Sequence, residues 1–205
     1  MDAVDNAGRK VEFYAAARSG PRRLPRHLAN AVRIIGGRCR GRLVRFPATA
    51  ALRPTPDRVR ETLFNWLGQD LTGATTLELY AGSGALSLEA LSRGANVAVA
   101  VDRETALVAA LRENAAILGL SGLETARGDA RAFVTRETRE FDVIFLDPPF
   151  ADDPWSWLLP ACAQRLAREG FVYAESAAPL ESGSSLEVVR SSKAGQVYYH
   201  LLRLA

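Results

Sequence analysis

Strand-like and helix-like patterns alternate along the chain from Thr75 onward. Short, nearly continuous apolar runs are each followed by a longer amphipathic stretch. Strands that are apolar on both faces predict a mostly parallel sheet with helices on both faces, an α/β fold. The predicted strands are Thr76–Tyr80, Val97–Val101, Leu123–Arg127, Val143–Leu146 and Phe171–Ala174, then an antiparallel pair, Leu186–Arg190 and Gln196–Leu202; the predicted helices span about 85–93, 103–118, 130–138 and 155–168.

The region before the sheet has a different pattern. Residues 32–46 hold short apolar pieces around glycines and predict a small hairpin with arginines on its exposed side. Residues 52–67 predict a helix that Thr55 or Asp57 can cap. We therefore expect three parts: a flexible basic extension over 1–31, a small hairpin and helix over 32–70, and the main α/β domain over 71–205.

Charge is divided unevenly along the chain. Residues 1–60 hold 14 Lys and Arg against 4 Asp and Glu, whereas residues 61–205 hold 12 against 19. A basic end on an acidic body indicates a polyanionic partner such as nucleic acid, and a solvated basic tail is the alternative. No apolar run approaches the roughly 18 residues of a membrane span. The two cysteines, Cys39 and Cys162, lie far apart and favour neither a disulfide framework nor a metal site, which fits a reducing cytoplasm.

Polar residues follow four consecutive predicted strands. Ligands of open α/β sheets bind outside the carboxyl ends of the strands, so these residues form one candidate site. Each has a local alternative, because glycines also make turns and Asp102 or Asp129 can cap the helix that follows. The candidate cofactor-binding residues are Glu78, Ala81, Gly82, Ser83, Gly84, Asp102, Asp129 and Ala130.

The glycine loop favours one class of cofactor over another. A dinucleotide site has the pattern G-x-G-x-x-G, but after Gly82 and Gly84 the third position is Ser87. Asp102 can accept hydrogen bonds from ribose hydroxyls. S-adenosylmethionine, which has an adenosine, a cationic sulfonium and no phosphate, suits this loop and its neighbouring acids better.

The fourth strand ends in the candidate catalytic residues Asp147, Pro148, Pro149 and Phe150. Prolines make a stiff turn and lack N–H donors, so their carbonyls and the Asp147 side chain can accept the two hydrogens of an exocyclic amino group. Phe150 offers a ring against which a flipped base can stack. Asp147 would then orient the amine rather than act as a strong base. Glu175, after the fifth strand, either lies near this site or belongs to a turn.

Four stretches, in order, resemble one known family. "LELYAGSGALSLEALSRGA" followed by "FLDPPF" resembles the class I amino-methyltransferases. The upstream "RIIGGRCRGR" and "LRPTPDRVRETLFNWL" narrow the resemblance to the bacterial 16S rRNA guanine-N2 methyltransferases of the RsmD family. The resemblance runs from about Val32 to the C-terminus. It implies a Rossmann-like class I methyltransferase fold with a seven-stranded sheet and a small basic N-terminal hairpin and helix.

The resemblance also implies an activity and its residues. It implies S-adenosylmethionine as methyl donor, one guanine of 16S rRNA as target, and an assembled or assembling small ribosomal subunit as substrate. It places the cofactor and catalytic roles on the strand-end residues named above. We expect a monomeric cytoplasmic enzyme that needs no metal, with Cys39 standing where the family has a tryptophan. The expected RNA-binding residues are Arg33, Arg38, Arg40, Arg42, Arg53, Thr55 and Arg58. The hairpin arginines among them are expected to contact phosphates beside the target base.

Three other functions remain open from the residues alone. A DNA adenine or cytosine amino-methyltransferase usually has tyrosine after the prolines and a separate recognition region, whereas this chain has Phe150 and lacks that region. A non-catalytic RNA-binding module on the same fold would not need the intact glycine loop or Asp147. A nicotinamide dehydrogenase is disfavoured by the missing third glycine.

Overall fold

The computed structural model describes residues 30–47 and 55–205. Arg53 and nearly all of the expected extension over 1–31 lie outside these ranges. The strands are β1 (Asn30–Arg33), β2 (Leu43–Phe46), β3 (Thr75–Leu79), β4 (Val97–Asp102), β5 (Leu123–Arg127), β6 (Phe141–Leu146), β7 (Leu166–Ser176), β8 (Leu186–Ala194) and β9 (Val197–Leu204). The helices are α1 (Asp57–Trp66), α2 (Ala85–Ser92), α3 (Thr105–Leu118), α4 (Ala130–Arg136) and α5 (Trp155–Ala163).

Seven strands form one mostly parallel sheet, as predicted, and their order in the sheet is β5-β4-β3-β6-β7-β9-β8. The first five are parallel, and β9 runs antiparallel to both β7 and β8. From β3 the chain first builds the sheet on one side, through β4 and β5, and then continues on the other side with β6, so the strand order reverses between β3 and β6. The carboxyl ends of β3, β4 and β6 therefore lie side by side, which is where such sheets bind ligands.

Helices cover both faces of this sheet. One core contains apolar side chains of α1, α2, α3 and the β1–β2 hairpin, and it includes Phe145 and Tyr173 of the sheet. The other contains α4 and α5 against Ile144, Leu146 and Ala174. Because side chains alternate along a strand, these two sets show which way the residues point over 143–146 of β6 and 171–174 of β7, beyond the register shift after Phe141.

Two predictions near the start of β7 were wrong. The expected helix over 155–168 ends at Ala163, and the strand expected over Phe171–Ala174 begins at Leu166. Leu166 pairs with Phe141 of β6, whose N–H donates to the Arg165 carbonyl at 2.8 Å. Pairing with a buried neighbouring strand thus overrides the local helical pattern of this segment.

The hairpin is attached to the main domain by a buried carboxylate. Glu89 of α2 is fully buried and accepts the N–H groups of Ile35 and Gly36 at 2.8 and 2.6 Å. It also pairs with Arg93 at 2.9 Å and Arg60 at 3.4 Å. The hairpin is therefore part of the same core as the sheet.

Neither predicted cap starts α1. Pro56 precedes the helix and no side chain caps it. Asp57 is the first helical residue and pairs with Arg60 at 2.7 Å, while the Thr55 hydroxyl donates to Glu175 at 2.7 Å. Both side chains are therefore engaged elsewhere: Asp57 pairs with Arg60 in the same helix, and Thr55 bonds to Glu175, which is distant in sequence.

Candidate active site

The loop after β3 is a tight turn of left-handed residues. Tyr80, Gly82 and Gly84 have φ of +64°, +54° and +68°. A left-handed tyrosine is uncommon, and such strain concentrates at functional sites. Gly84 has a second reason to be glycine, since a Cβ there would lie 1.7 Å from Cδ2 of Leu111 on α3. Ala81 and Ser83, the other expected loop residues, are both buried.

Glu78 occupies the N-terminus of the helix that follows this loop. Its carboxylate accepts the N–H of Ser87, in the first turn of α2, at 2.9 Å. Burial raises the pKa of Glu78 to about 7. A pyrophosphate would need these same helix-terminal N–H groups, so the buried acid disfavours a dinucleotide. It favours a ligand with a cationic or donor group.

Asp102, at the end of β4, is fixed by two backbone groups. Its Oδ2 accepts the N–H of Gly82 at 2.7 Å, and its Oδ1 accepts the N–H of Glu104 at 2.8 Å. The first bond holds the acid against the glycine loop. Each carboxylate oxygen keeps a lone pair, so Asp102 can still accept from a ribose hydroxyl.

Asp129 has the local role that the sequence left open. It caps α4 by accepting the N–H of Ala132 at 2.9 Å, and it pairs with Arg103 at 2.6 Å. These two contacts lower the pKa of Asp129, the backbone bond most. Ala130 is buried as the first residue of α4. A cofactor role for either residue stays a prediction.

The four candidate catalytic residues form the turn that ends β6. Asp147 is half-buried and Pro148 buried, whereas Pro149 and Phe150 are exposed, with 47% of Phe150 accessible. The carbonyl of Pro149 accepts the N–H of Asp152 at 2.9 Å. A cleft of about 390 Å³ lies between this turn and the loop after β7, and Phe150 lines it. The exposed ring is thus available for stacking.

Three carboxylates lie on one face of adjacent strands. By strand alternation, Glu78, Asp147 and Glu175 all face the core shared with α1 and α2. Burial raises the pKa of Asp147 well above its usual value, and the charges of Glu175 and Glu78 raise it further. Within the described residues, no salt bridge reaches any of the three acids.

Glu175 is the neighbour of Asp147 on the next strand. Leu146 pairs with Ala174 in parallel register, so Asp147 and Glu175 are the next residues of two neighbouring strands that lie about 4.8 Å apart. Glu175 is 4% exposed. Its Oε1 accepts the hydroxyls of Thr55 at 2.7 Å and Tyr173 at 2.9 Å. The sequence pattern left Glu175 between a site and a turn, and the structure places it beside Asp147.

The expected RNA-binding residues are scattered. Thr55 is buried against Glu175, and its assignment to RNA contact stays a prediction. Arg33, Arg40 and Arg58 are exposed, Arg58 in the first turn of α1. The remaining arginines, Arg38 and Arg42, donate to the carbonyls of Gly119 and Ile117 at the C-terminus of α3.

The hairpin tip therefore lies far from the catalytic turn. A helix following a parallel strand runs back to the opposite edge, and α3 has 14 residues, or roughly 21 Å. Arg38 and Arg42 lie at that far edge with the tip, which packs on α2 and α3, and their contact with RNA stays a prediction. A cavity of about 680 Å³, lined by Arg38 and Arg93 among others, opens there. Cys39, which stands at the tip where the family has a tryptophan, is buried.

Sequence reasoning missed Arg60, which is fully buried. It donates to the carbonyls of Arg33 at 2.7 Å and Thr55 at 3.2 Å, besides pairing with Asp57 and Glu89. Its position between Val59 and Leu63 on the apolar side of α1 was the available signal. Arg60 thus links Arg33 of the hairpin to Thr55, whose hydroxyl bonds to Glu175.

The structure also bears on membrane-spanning helices, metal ligands and reactive cysteines. Among the described ranges, no helix is long and apolar enough to cross a bilayer, and no cluster of potential metal ligands occurs. Both cysteines are buried free thiols. Burial raises the pKa of Cys162 to about 12, which makes it a poor nucleophile.

Comparison with solved structures defines the class of protein. The structure superposes on protein yhhF from Escherichia coli with a TM-score of 0.77 at 36% identity, covering 85% of this chain and 98% of that one. Protein HI0767 from Haemophilus influenzae, described as a putative methylase, gives a TM-score of 0.73 at 30% identity, covering 85% of this chain and 99% of that one. SMU.776, solved with SAH, shares the fold at 14% identity with a TM-score of 0.66, covering 80% and 54%. The fold is that of a class I methyltransferase.

Sequence comparison then identifies the family. Residues 32–203 match the profile of the family Conserved hypothetical protein 95. The E. coli Ribosomal RNA small subunit methyltransferase D is 37% identical over 187 residues, covering 83% of this chain and 88% of that protein. The chain belongs to this family of methyltransferases, as its motifs predicted.

Proposed function

We propose that the protein transfers a methyl group from S-adenosylmethionine to the exocyclic N2 of one guanine in 16S rRNA, in the small ribosomal subunit or an assembly intermediate. The observation that supports this most is the placement of Asp147 and its proline turn at the end of β6, beside the glycine loop of β3. Relatives named as small-subunit rRNA methyltransferases support the choice of RNA. Such a substrate places the enzyme in the cytoplasm.

The residues present suit this methyl donor. Asp102, held against Gly82, would accept the ribose hydroxyls, and Glu78 would face a cationic group of the donor. When bound, S-adenosylmethionine supplies an electrophilic methyl group on a sulfonium. The left-handed turn at Gly82 and Gly84 allows the backbone to approach the ligand closely.

Asp147 would orient the amino group for the transfer. Its carboxylate and the Pro148 carbonyl accept the two N–H groups, so the nitrogen lone pair points at the methyl carbon. The lone pair forms the N–C bond while the C–S bonding pair stays on sulfur, and the amine then loses one proton. Burial and the neighbouring acids raise the pKa of Asp147, which makes it a competent acceptor for that proton.

Methyl transfer from labelled S-adenosylmethionine to small subunits lacking the modification tests the proposal. Wild type should yield N2-methylguanosine, and Asp147→Ala should reduce the rate by roughly 100-fold or more. Glu169→Ala, which changes an exposed acid of β7, is the matched control and should leave the rate unchanged. Both variants should keep the rise in melting temperature that the donor gives.

The outcomes separate the alternatives. Label in adenine or cytosine of DNA instead would indicate the DNA amino-methyltransferase. Donor binding without transfer to any nucleic acid would indicate a non-catalytic module. A melting-temperature rise with NAD but not with S-adenosylmethionine would indicate a dehydrogenase.

A further inference from the structure

Glu175, the buried carboxylate beside Asp147, has no role in the proposed methyl transfer, in which Asp147 and the Pro148 carbonyl orient the amino group. It lies one strand further from the glycine loop than Asp147, in parallel register and on the same face of the sheet. Its Oε1 is occupied by the Thr55 and Tyr173 hydroxyls. Burial raises the pKa of Tyr173 well above its usual value, so its hydroxyl stays a donor. No donor among the described residues engages Oε2.

Two adjacent acceptors match one base better than the others. Guanine presents N1–H directly beside its N2 amino group, so it offers a continuous row of donors. Adenine and cytosine also have an exocyclic amine, but the neighbouring ring nitrogen is a lone pair that a carboxylate repels. An amine acceptor alone suits all three bases, whereas a second acceptor beside it suits guanine.

We propose that Glu175 is the specificity-determining residue of this site, accepting the N1–H of the target guanine while Asp147 holds the adjacent N2 amino group. This inference rests on the proposed function. Burial raises the pKa of both acids, and repulsion by the charge of Glu175 raises that of Asp147 further. The donor row of guanine relieves that repulsion, and a base with a lone pair beside its amine would increase it.

Thr55 and Tyr173 make a further expectation possible. Both donate to Oε1, so in Glu175→Gln they would hold the amide oxygen on their side and turn the amide NH₂ toward the base. The variant would then present a donor where the wild type presents an acceptor. Glu175→Gln should therefore reverse the preference between a base with N1–H and one with an N1 lone pair.

The experiment replaces the target guanine by 2-aminopurine, which keeps the C2 amine but has a lone pair at N1. The target position comes from the wild-type product, and the base is introduced by ligation into 16S RNA assembled into small subunits. Wild type should favour guanine by roughly 100-fold or more in kcat/KM. Glu175→Gln should slow guanine, accelerate 2-aminopurine and lower the ratio by at least roughly 100-fold, with Glu169→Gln as control.

The readouts separate the possible failures. If wild type methylates both bases equally, or Glu175→Gln slows both by the same factor, the inference is wrong while the proposed function stands. If wild type methylates no guanine N2, the proposed function itself fails. A melting-temperature rise with S-adenosylmethionine in both proteins shows that the variant is folded, and the wild-type comparison of bases stands without the variant.

Discussion

Gly84 offers a test of how backbone conformation and packing combine in the glycine loop. In Gly84→Ala the new Cβ must adopt a left-handed φ near +68° and would lie 1.7 Å from Cδ2 of Leu111, a residue 1% exposed. The conformational part costs about 1–2 kcal/mol. Moving a packed core side chain adds about 1–3 kcal/mol, so we expect a total loss of about 2–5 kcal/mol.

Gly119 is the matched control. It has φ of +67° at the end of α3, and nothing lies within 4 Å of a Cβ built there. Gly119→Ala should therefore lose only the conformational part, about 1–2 kcal/mol. Urea unfolding with an unchanged m-value measures both free energies. Equal losses for the two variants would refute the steric part of the reasoning.

A double variant isolates the contact. Leu111→Ala alone should cost about 2–5 kcal/mol through its cavity. With Gly84→Ala the same truncation removes the clashing methyl, so the double variant should cost about 1–3 kcal/mol less than the sum of the singles. Additive losses would show that Leu111 moves aside freely. Gly84→Ala should also reduce the melting-temperature rise given by S-adenosylmethionine.

Three further experiments test charges. Burial raises the pKa of Glu78 from 4.5 to about 7, so the folded state retains this proton where the unfolded state loses it. The free energy of unfolding should therefore fall by about 3 kcal/mol as pH rises from 4.5 to 7. In urea titrations Glu78→Gln should lack this part of the fall, and a pH slope equal to that of wild type would contradict the reasoning. Glu89→Ala removes the carboxylate partner of the buried Arg93 and one of the two carboxylate partners of the buried Arg60. It should lose about 3–5 kcal/mol by urea unfolding, against under about 0.5 for the exposed Glu61→Ala. Similar losses for the two variants would argue against the network. Arg40→Ala and Arg42→Ala should each weaken 16S RNA binding, while kcat stays unchanged. The slope of the logarithm of the binding constant against the logarithm of the salt concentration should become shallower by up to about 0.9. Binding identical to that of wild type at every salt concentration would exclude a phosphate contact.

The sheet and its strand-end acids were predictable because their signals are local. Glu78, Asp102 and Asp147 each stand at the end of an apolar run, and parallel pairing brings those ends together. The start of β7 was not predictable, because Leu166 becomes a strand residue only through pairing with Phe141.

The roles of Thr55 and the hairpin arginines depend on partners distant in sequence. Thr55 resembles a helix cap locally, but its hydroxyl bonds to Glu175, 120 residues away. The direction of the hairpin depends on Glu89 and on Ser92, whose hydroxyl accepts the N–H of Cys39 at 2.9 Å. The local pattern of apolar and basic residues in 32–46 contains neither contact, so it could predict a hairpin but not which edge its tip would reach.

The acidic face of the sheet also distinguishes between the candidate functions. Burial raises the pKa of Glu78, Asp147 and Glu175, so ionising them at neutral pH destabilises the fold. A module that bound only RNA phosphates would be more stable, and more attractive to its ligand, without these acids. A ligand with a cationic centre near Glu78 and N–H donors near Asp147 and Glu175 would relieve all three. A methyl donor with a sulfonium and a base with an exocyclic amine together meet that requirement, whereas the pyrophosphate of a dinucleotide would add to the repulsion.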